Sequence, residues 1–124
     1  MLARYQIARG VPASALPKGV RQDTRKHTRH VLRPSEAIVE AYLAAPSEAA
    51  WRRFAKDYRK LLAQRFAEDR RPFDQIAELA RETDVWLGCN CPTKKNPNVE
   101  HCHTWLALEF FRKHYPELEV RMPS

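Results

Sequence analysis

Residues 84–89 read DVWLGC, and Val85, Trp86 and Leu87 follow one another with no polar residue between them. A strand with one wet face alternates. An unbroken apolar run is how a strand buried on both faces reads, so this stretch predicts a parallel or mixed sheet covered by helices. Working outward, a loop over 89–100 leads to HTWLALEFFRKH, which predicts a helix over about 102–114 that Pro116 stops. LEVRM (118–122) reads as a last short strand. Strand 84–88, helix 102–114 and strand 118–122 would form a C-terminal βαβ unit, right-handed as such units are.

Upstream, Pro72 suits a first helical turn, and FDQIAELARE supplies Phe73, Ile76, Leu79 and Ala80 for an apolar face. Before it, Trp51, Phe54, Tyr58, Leu61, Leu62 and Phe66 recur at helical spacing over about 48–67. The opposite face is Arg52, Arg53, Lys56, Arg59, Lys60 and Gln64, a solvated basic surface. Pro34-Ser35-Glu36 and Pro46-Ser47-Glu48 both read as helix starts, with a capping serine and an acid in the first turn. Ile38, Tyr42 and Leu43 would be the stripe of the first of these helices. ARYQIARG (3–10) reads as a strand closed by Gly10 and Pro12, and residues 10–34 as one long basic loop. The expected fold is α/β: a small, mostly parallel sheet of about three strands under about four helices, in one domain over residues 1–124.

The net charge of +7 is uneven. Residues 18–33, KGVRQDTRKHTRHVLR, carry Lys18, Arg21, Arg25, Lys26, Arg29 and Arg33 against Asp23 alone. Such a block is either a solvated loop or an anion-seeking surface for nucleic acid or an acidic protein. The absence of aromatic residues between 18 and 33 argues against single-stranded nucleic acid. No apolar run approaches the ~20 residues of a membrane helix, and MLARYQIARG lacks the apolar core of a secretory signal. Three cysteines, two of them as C-x-C, make a poor disulfide framework, so a cytoplasmic protein with reduced thiols is expected.

All three cysteines fall in GCNCPTKKNPNVEHCHTW, residues 88–105. Ligand sites of open α/β sheets lie beyond the carboxyl ends of the strands. Cys89 and Cys91 follow the central strand, while His101, Cys102 and His103 open the next helix, so both groups can converge on one crevice. A thiol at a helix N-terminus ionises more easily, which makes Cys102 a candidate thiolate with His103 as its proton partner. The same helix end, with Arg9 and with Lys94 or Lys95, could hold a phosphate. A tetrahedral zinc site could instead draw on Cys89, Cys91, Cys102 and either His101 or His103. Against both stands a structural reading: Cys89 as a core residue and the histidines as helix caps. Trp51, Trp86 and Trp105 read as core, and the chain carries no G-x-G-x-x-G, P-loop, G-x-S-x-G or H-E-x-x-H motif.

IARGVP (7–12), LRPS (32–35), W-x-x-F-x-x-x-Y (51–58), WLGC (86–89) and HCHT (101–104) occur in this order along nearly the whole chain. In that order they resemble the domain of unknown function 488 (DUF488) family, which includes the YeaO-like proteins. The resemblance implies site positions at Arg9, Ser35, Cys89 and the Cys102–His103 pair, and no particular activity. Two positions depart from the family pattern: its glutamate two residues after the strand cysteine is Cys91 here, and its arginine after the pair is Thr104.

Three readings follow. In the first, Arg9, Ser35, Lys94 and Lys95 help bind an anionic ligand, a nucleotide or phosphate, beside a reactive Cys102. In the second, a zinc-stabilised module binds nucleic acid or an acidic partner through residues 18–33. In the third, the basic helix face docks on a larger assembly.

Overall fold

The computed structural model describes residues 1–123. The chain forms β1 (Leu2–Gln6), a 3-10 turn (Ala13–Ala15), β2 (Val20–Asp23), α1 (Glu36–Ala44), α2 (Glu48–Glu68), α3 (Arg71–Glu82), β3 (Val85–Cys89) and α4 (His103–His114). The strands make one parallel sheet in the order β1-β3-β2. The apolar run of DVWLGC therefore occupies the central strand, where both backbone edges are paired. Val85 and Leu87 are fully buried. Trp86 is half-buried, and its indole N–H donates to Lys18 O at 2.9 Å.

The third strand is not the one expected at the C-terminal end. Val120 makes only an isolated parallel bridge to Leu2, through Leu2 N–H to Glu119 O and Arg121 N–H to Leu2 O. One residue on the β1 side offers both groups, and one such pair makes a bridge rather than a ladder. The expected C-terminal βαβ unit thus lacks its second strand.

The missing strand lies in the 10–34 segment expected to be a continuous loop. VRQD, at the sheet edge, has one apolar residue in four, and charge on an edge strand protects it from unwanted pairing. Gly19 admits this strand. It adopts φ +125°, and a Cβ there would lie 2.3 Å from Asp84 O. Val20 N–H then donates to that same carbonyl.

The helices follow their sequence signals. Ser35 accepts from Ile38 N–H at the start of α1, and Ser47 from Ala50 N–H at the start of α2. On α2, Phe54, Tyr58 and Leu62 are buried, with Trp51, Leu61 and Phe66 packed at the margin of the core. On α1, Tyr42 is buried, but Leu43, expected in the apolar stripe, is 40% exposed. α4 buries Leu106, Leu108 and Phe111 and packs on β1, β3 and α2. Among the described residues no helix is long and apolar enough to cross a membrane.

Candidate functional site

Parallel pairing brings the carboxyl ends of all three strands to one edge: Gln6 lies opposite Cys89, and Asp23 opposite Gly88. Thr24 continues β2 by one step, donating its N–H to Gly88 O at 3.1 Å. α4 starts at the same edge, with Cys102 as its N-cap. Cys89, Cys91 and Cys102 therefore converge, and their three sulfurs all lie within 4.8 Å of one another. Cys89 and Cys102 are buried, Cys91 is half-buried, and all three are free.

His103, the first residue of α4, is buried beside them. Its Nδ1 is 3.7 Å from Cys89 Sγ and 3.9 Å from Cys102 Sγ, and its Nε2 is 2.8 Å from Thr24 Oγ1. His101 does not join the cluster, contrary to its place in the expected ligand set. Its ring stacks on Trp51 at 4.8 Å, and its Nε2 lies 3.5 Å from Glu48 Oε1. His101 and His103 stand two residues apart at the helix start, which turns their side chains to different sides, and His103 is the one that faces the sulfurs.

Polar groups surround the sulfurs. Asn96, almost fully buried, donates from Nδ2 to Cys91 Sγ at 3.2 Å and to His101 O at 2.6 Å, while its Oδ1 accepts from Tyr42. Arg4 donates from Nε to Thr104 Oγ1 at 2.9 Å and from its other branch to Cys91 O at 2.6 Å. The Thr104 hydroxyl in turn donates to Cys102 Sγ at 3.2 Å. A guanidinium thus reaches Thr104 from β1. Hydrogen bonds from the Cys89 and Cys91 thiols, followed by the nearby His103, hold the Cys102 thiol well below the usual cysteine range. Those two donors become harder to ionise: hydrogen bonding to Cys102 pushes Cys91 up to about 11, and Cys89 is also raised.

The cluster forms the floor of a cavity of about 250 Å³. One wall is apolar, with Val39, Tyr42, Leu43, Trp51 and Phe54. The other is basic, with Arg25, Lys26, His27 and Lys95, and no carboxylate residue lines the cavity. Arg25 and Asn90 also line a neighbouring depression with Ile7, Ala8 and Arg9.

The expected anion-binding residues separate in space. Lys95 lines the main cavity. Arg9 faces the neighbouring depression. Lys94 is exposed and lines neither. Ser35 is engaged as the α1 cap. Within the basic block, Arg25 is bidentate with Asp23, Arg21 donates to Pro17 O and Arg33 to His30 O. Much of its charge is thus turned to local bonds rather than presented as one surface. The sequence does not single out Arg4, Thr24, Asn96 or Thr104 as site residues, and includes Arg25 only within the 18–33 block. β1 carries Arg4 and the unexpected β2 leads into Thr24 and Arg25, while Asn96 and Thr104 arrive from the β3–α4 connection and the first turn of α4.

No curated protein and no solved structure matches the chain. The family model described as "Active DUF488-N3 subclade" matches residues 3–115, a span that contains every side chain of the cluster and both walls of the cavity. The chain belongs to the DUF488 family.

Proposed function

We propose that this chain is a metal-binding protein in which Cys89, Cys91 and Cys102 hold one zinc-class cation beneath a cavity that admits a small anionic ligand. The convergence of three sulfurs within 4.8 Å carries the reading. Zinc–sulfur bonds of about 2.3 Å in a tetrahedron set sulfurs about 3.8 Å apart, so a contraction of about 1 Å or less seats the ion. Thiolate donors select soft or borderline cations, zinc among them. The N–H of Asn96 and the O–H of Thr104 point at sulfur, as outer partners of a metal thiolate do. Binding would release the remaining thiol protons to solvent.

Lys95, on a wall with no lining carboxylate, supports an anion as the cavity's ligand, a phosphate or nucleotide, while Arg25 and Lys26 on that wall are already engaged by Asp23 and by Glu36 and Glu40. Capture of nucleic acid or an acidic protein through residues 18–33 has less support, because several of those cations are bound locally. A centre of reduced thiols suits a reducing compartment, the cytoplasm.

One observation favours a second reading, in which Cys102 is a nucleophile and His103 its proton partner: the neighbouring thiols and His103 favour ionisation of Cys102. Its 3% exposure weighs the other way, since reactive thiols are partly open to solvent. Elemental analysis of natively purified protein, with thiol titration before and after a chelator, separates the two. About one zinc per chain, with thiols released only by chelator, is the expected result. No metal, and one thiol far faster than the rest at pH 7, would install the second reading.

A further inference from the structure

Thr24 is fully buried at the end of the edge strand, and its hydroxyl has two neighbours: Gly88 O at 2.9 Å and His103 Nε2 at 2.8 Å. A hydroxyl has one hydrogen. A carbonyl oxygen can only accept, and the hydroxyl is placed to donate to Gly88 O. With its hydrogen there, the Thr24 oxygen accepts from His103, which puts a hydrogen on Nε2. In the neutral ring the other nitrogen, Nδ1, is left with a bare lone pair, and Nδ1 is the atom 3.7 and 3.9 Å from the Cys89 and Cys102 sulfurs.

From this hydrogen-bond count we infer that His103 Nδ1 is the fourth donor of the cysteine centre and that Thr24 is the residue that positions it. The inference rests on the three-thiolate reading above. Zinc–nitrogen and zinc–sulfur bonds of about 2.0 and 2.3 Å in a tetrahedron put nitrogen and sulfur about 3.5 Å apart, close to both separations. Metal-bound histidines characteristically donate their second N–H to an oxygen, which sets tautomer and ring angle. Here that oxygen is the Thr24 hydroxyl.

The ring has little freedom otherwise. Tyr58, fully buried and tied by its hydroxyl to Leu32 O at 2.6 Å, meets it edge-on with centroids 5.8 Å apart. Thr24 is held in turn by two bonds to Gly88 O, one from its N–H and one from its hydroxyl. The donor is thus oriented from β2, the strand at the opposite side of the sheet from β1.

Nitrogen-15 NMR of the histidine rings, with cobalt(II) titrations of wild type, Thr24→Val, Thr24→Ser and His103→Gln, tests this. The wild-type protein should show His103 protonated at Nε2, and its cobalt complex a tetrahedral sulfur–nitrogen spectrum. Thr24→Val should weaken cobalt binding by about 10- to 100-fold, and Thr24→Ser should recover most of it. His103→Gln should change the ligand-field bands, whereas His101→Gln should leave them unaltered. A neutral His103 protonated at Nδ1, or a Thr24→Val protein that binds cobalt like wild type, overturns the assignment. If wild type binds no cobalt, the three-thiolate reading falls and the donor role with it. The tautomer of the metal-free protein still decides whether Thr24 positions the ring.

Discussion

Two connections meet at the carboxyl edge of the sheet. The one from β3 to α4 brings three sulfurs and an imidazole; the one from β2 to α1 brings Thr24, Arg25, Lys26 and His27. The first is conspicuous in the sequence because cysteine and histidine are scarce, and their crowding into one loop stands out. The second is written in threonine and basic residues, which occur everywhere on protein surfaces. Donor atoms are announced by residue type, whereas the groups that orient and charge them are known only by position.

The largest expected effect falls on the first connection. Cys102→Ser removes the sulfur that lies at the head of α4 and receives the Thr104 hydroxyl. Bound zinc should drop from about one per chain to a small fraction, with affinity down by about a hundredfold or more. Elemental analysis after dialysis reads this directly. Retention of a full equivalent of zinc would detach Cys102 from the centre and return this connection to a packing role.

The second connection should show itself through pH. His30 donates from Nε2 to Gln22 Oε1 at 2.6 Å and accepts at Nδ1 from Leu32 N–H at 3.0 Å, a pattern that suits only the neutral ring. Burial, followed by the nearby His103, lowers its pKa to about 4 from 6.5. Between these values the unfolded chain binds a proton that the folded chain refuses. Stability therefore falls as pH drops from 6.5 toward 4 and is unaffected by this group above 6.5. The full shift corresponds to about 3 kcal/mol, reduced by the partial exposure of the ring. Urea unfolding of wild type and His30→Gln at pH 7 and pH 4.5 should show a smaller acid loss in the variant. Equal losses in the two proteins would mean that His30 does not organise the β2–α1 segment.

The smallest effect sharpens the contrast between a site residue and a structural one. The resemblance implies a site position at Ser35, and its hydroxyl is spent on Ile38 N–H as the α1 cap. Ser35→Ala should cost about 1 kcal/mol of stability and leave zinc content unchanged. A loss of zinc with unchanged unfolding would instead place Ser35 in the site.

Much of the fold was legible because it rests on local periodicity. The helical spacing from Trp51 to Phe66, the capping serines at 35 and 47 and the unbroken run Val85–Leu87 each act within one element. The exchange of one strand for another was not legible. VRQD lacks the apolar alternation of a half-buried strand, and it becomes β2 because Gly19 lets the chain approach the open edge of β3. LEVRM has the better strand composition and yet makes only one bridge, to Leu2 on the outer edge of β1, so propensity alone does not make a strand.

Side-chain type and short-range spacing sufficed for the central buried strand, the helix starts and the crowding of thiols and imidazoles beyond that strand. Packing across the sheet settled which histidine faces the sulfurs and which nitrogen it presents. It also separated Arg9 from Lys95 and brought a threonine from the edge strand beneath the ring. Those outcomes depend on hydrogen-bond directions and strand register between residues as far apart as Thr24 and His103. A one-residue slip in register would turn these side chains to the other face, and the polar edge strand VRQD carries little of the apolar pattern that specifies register.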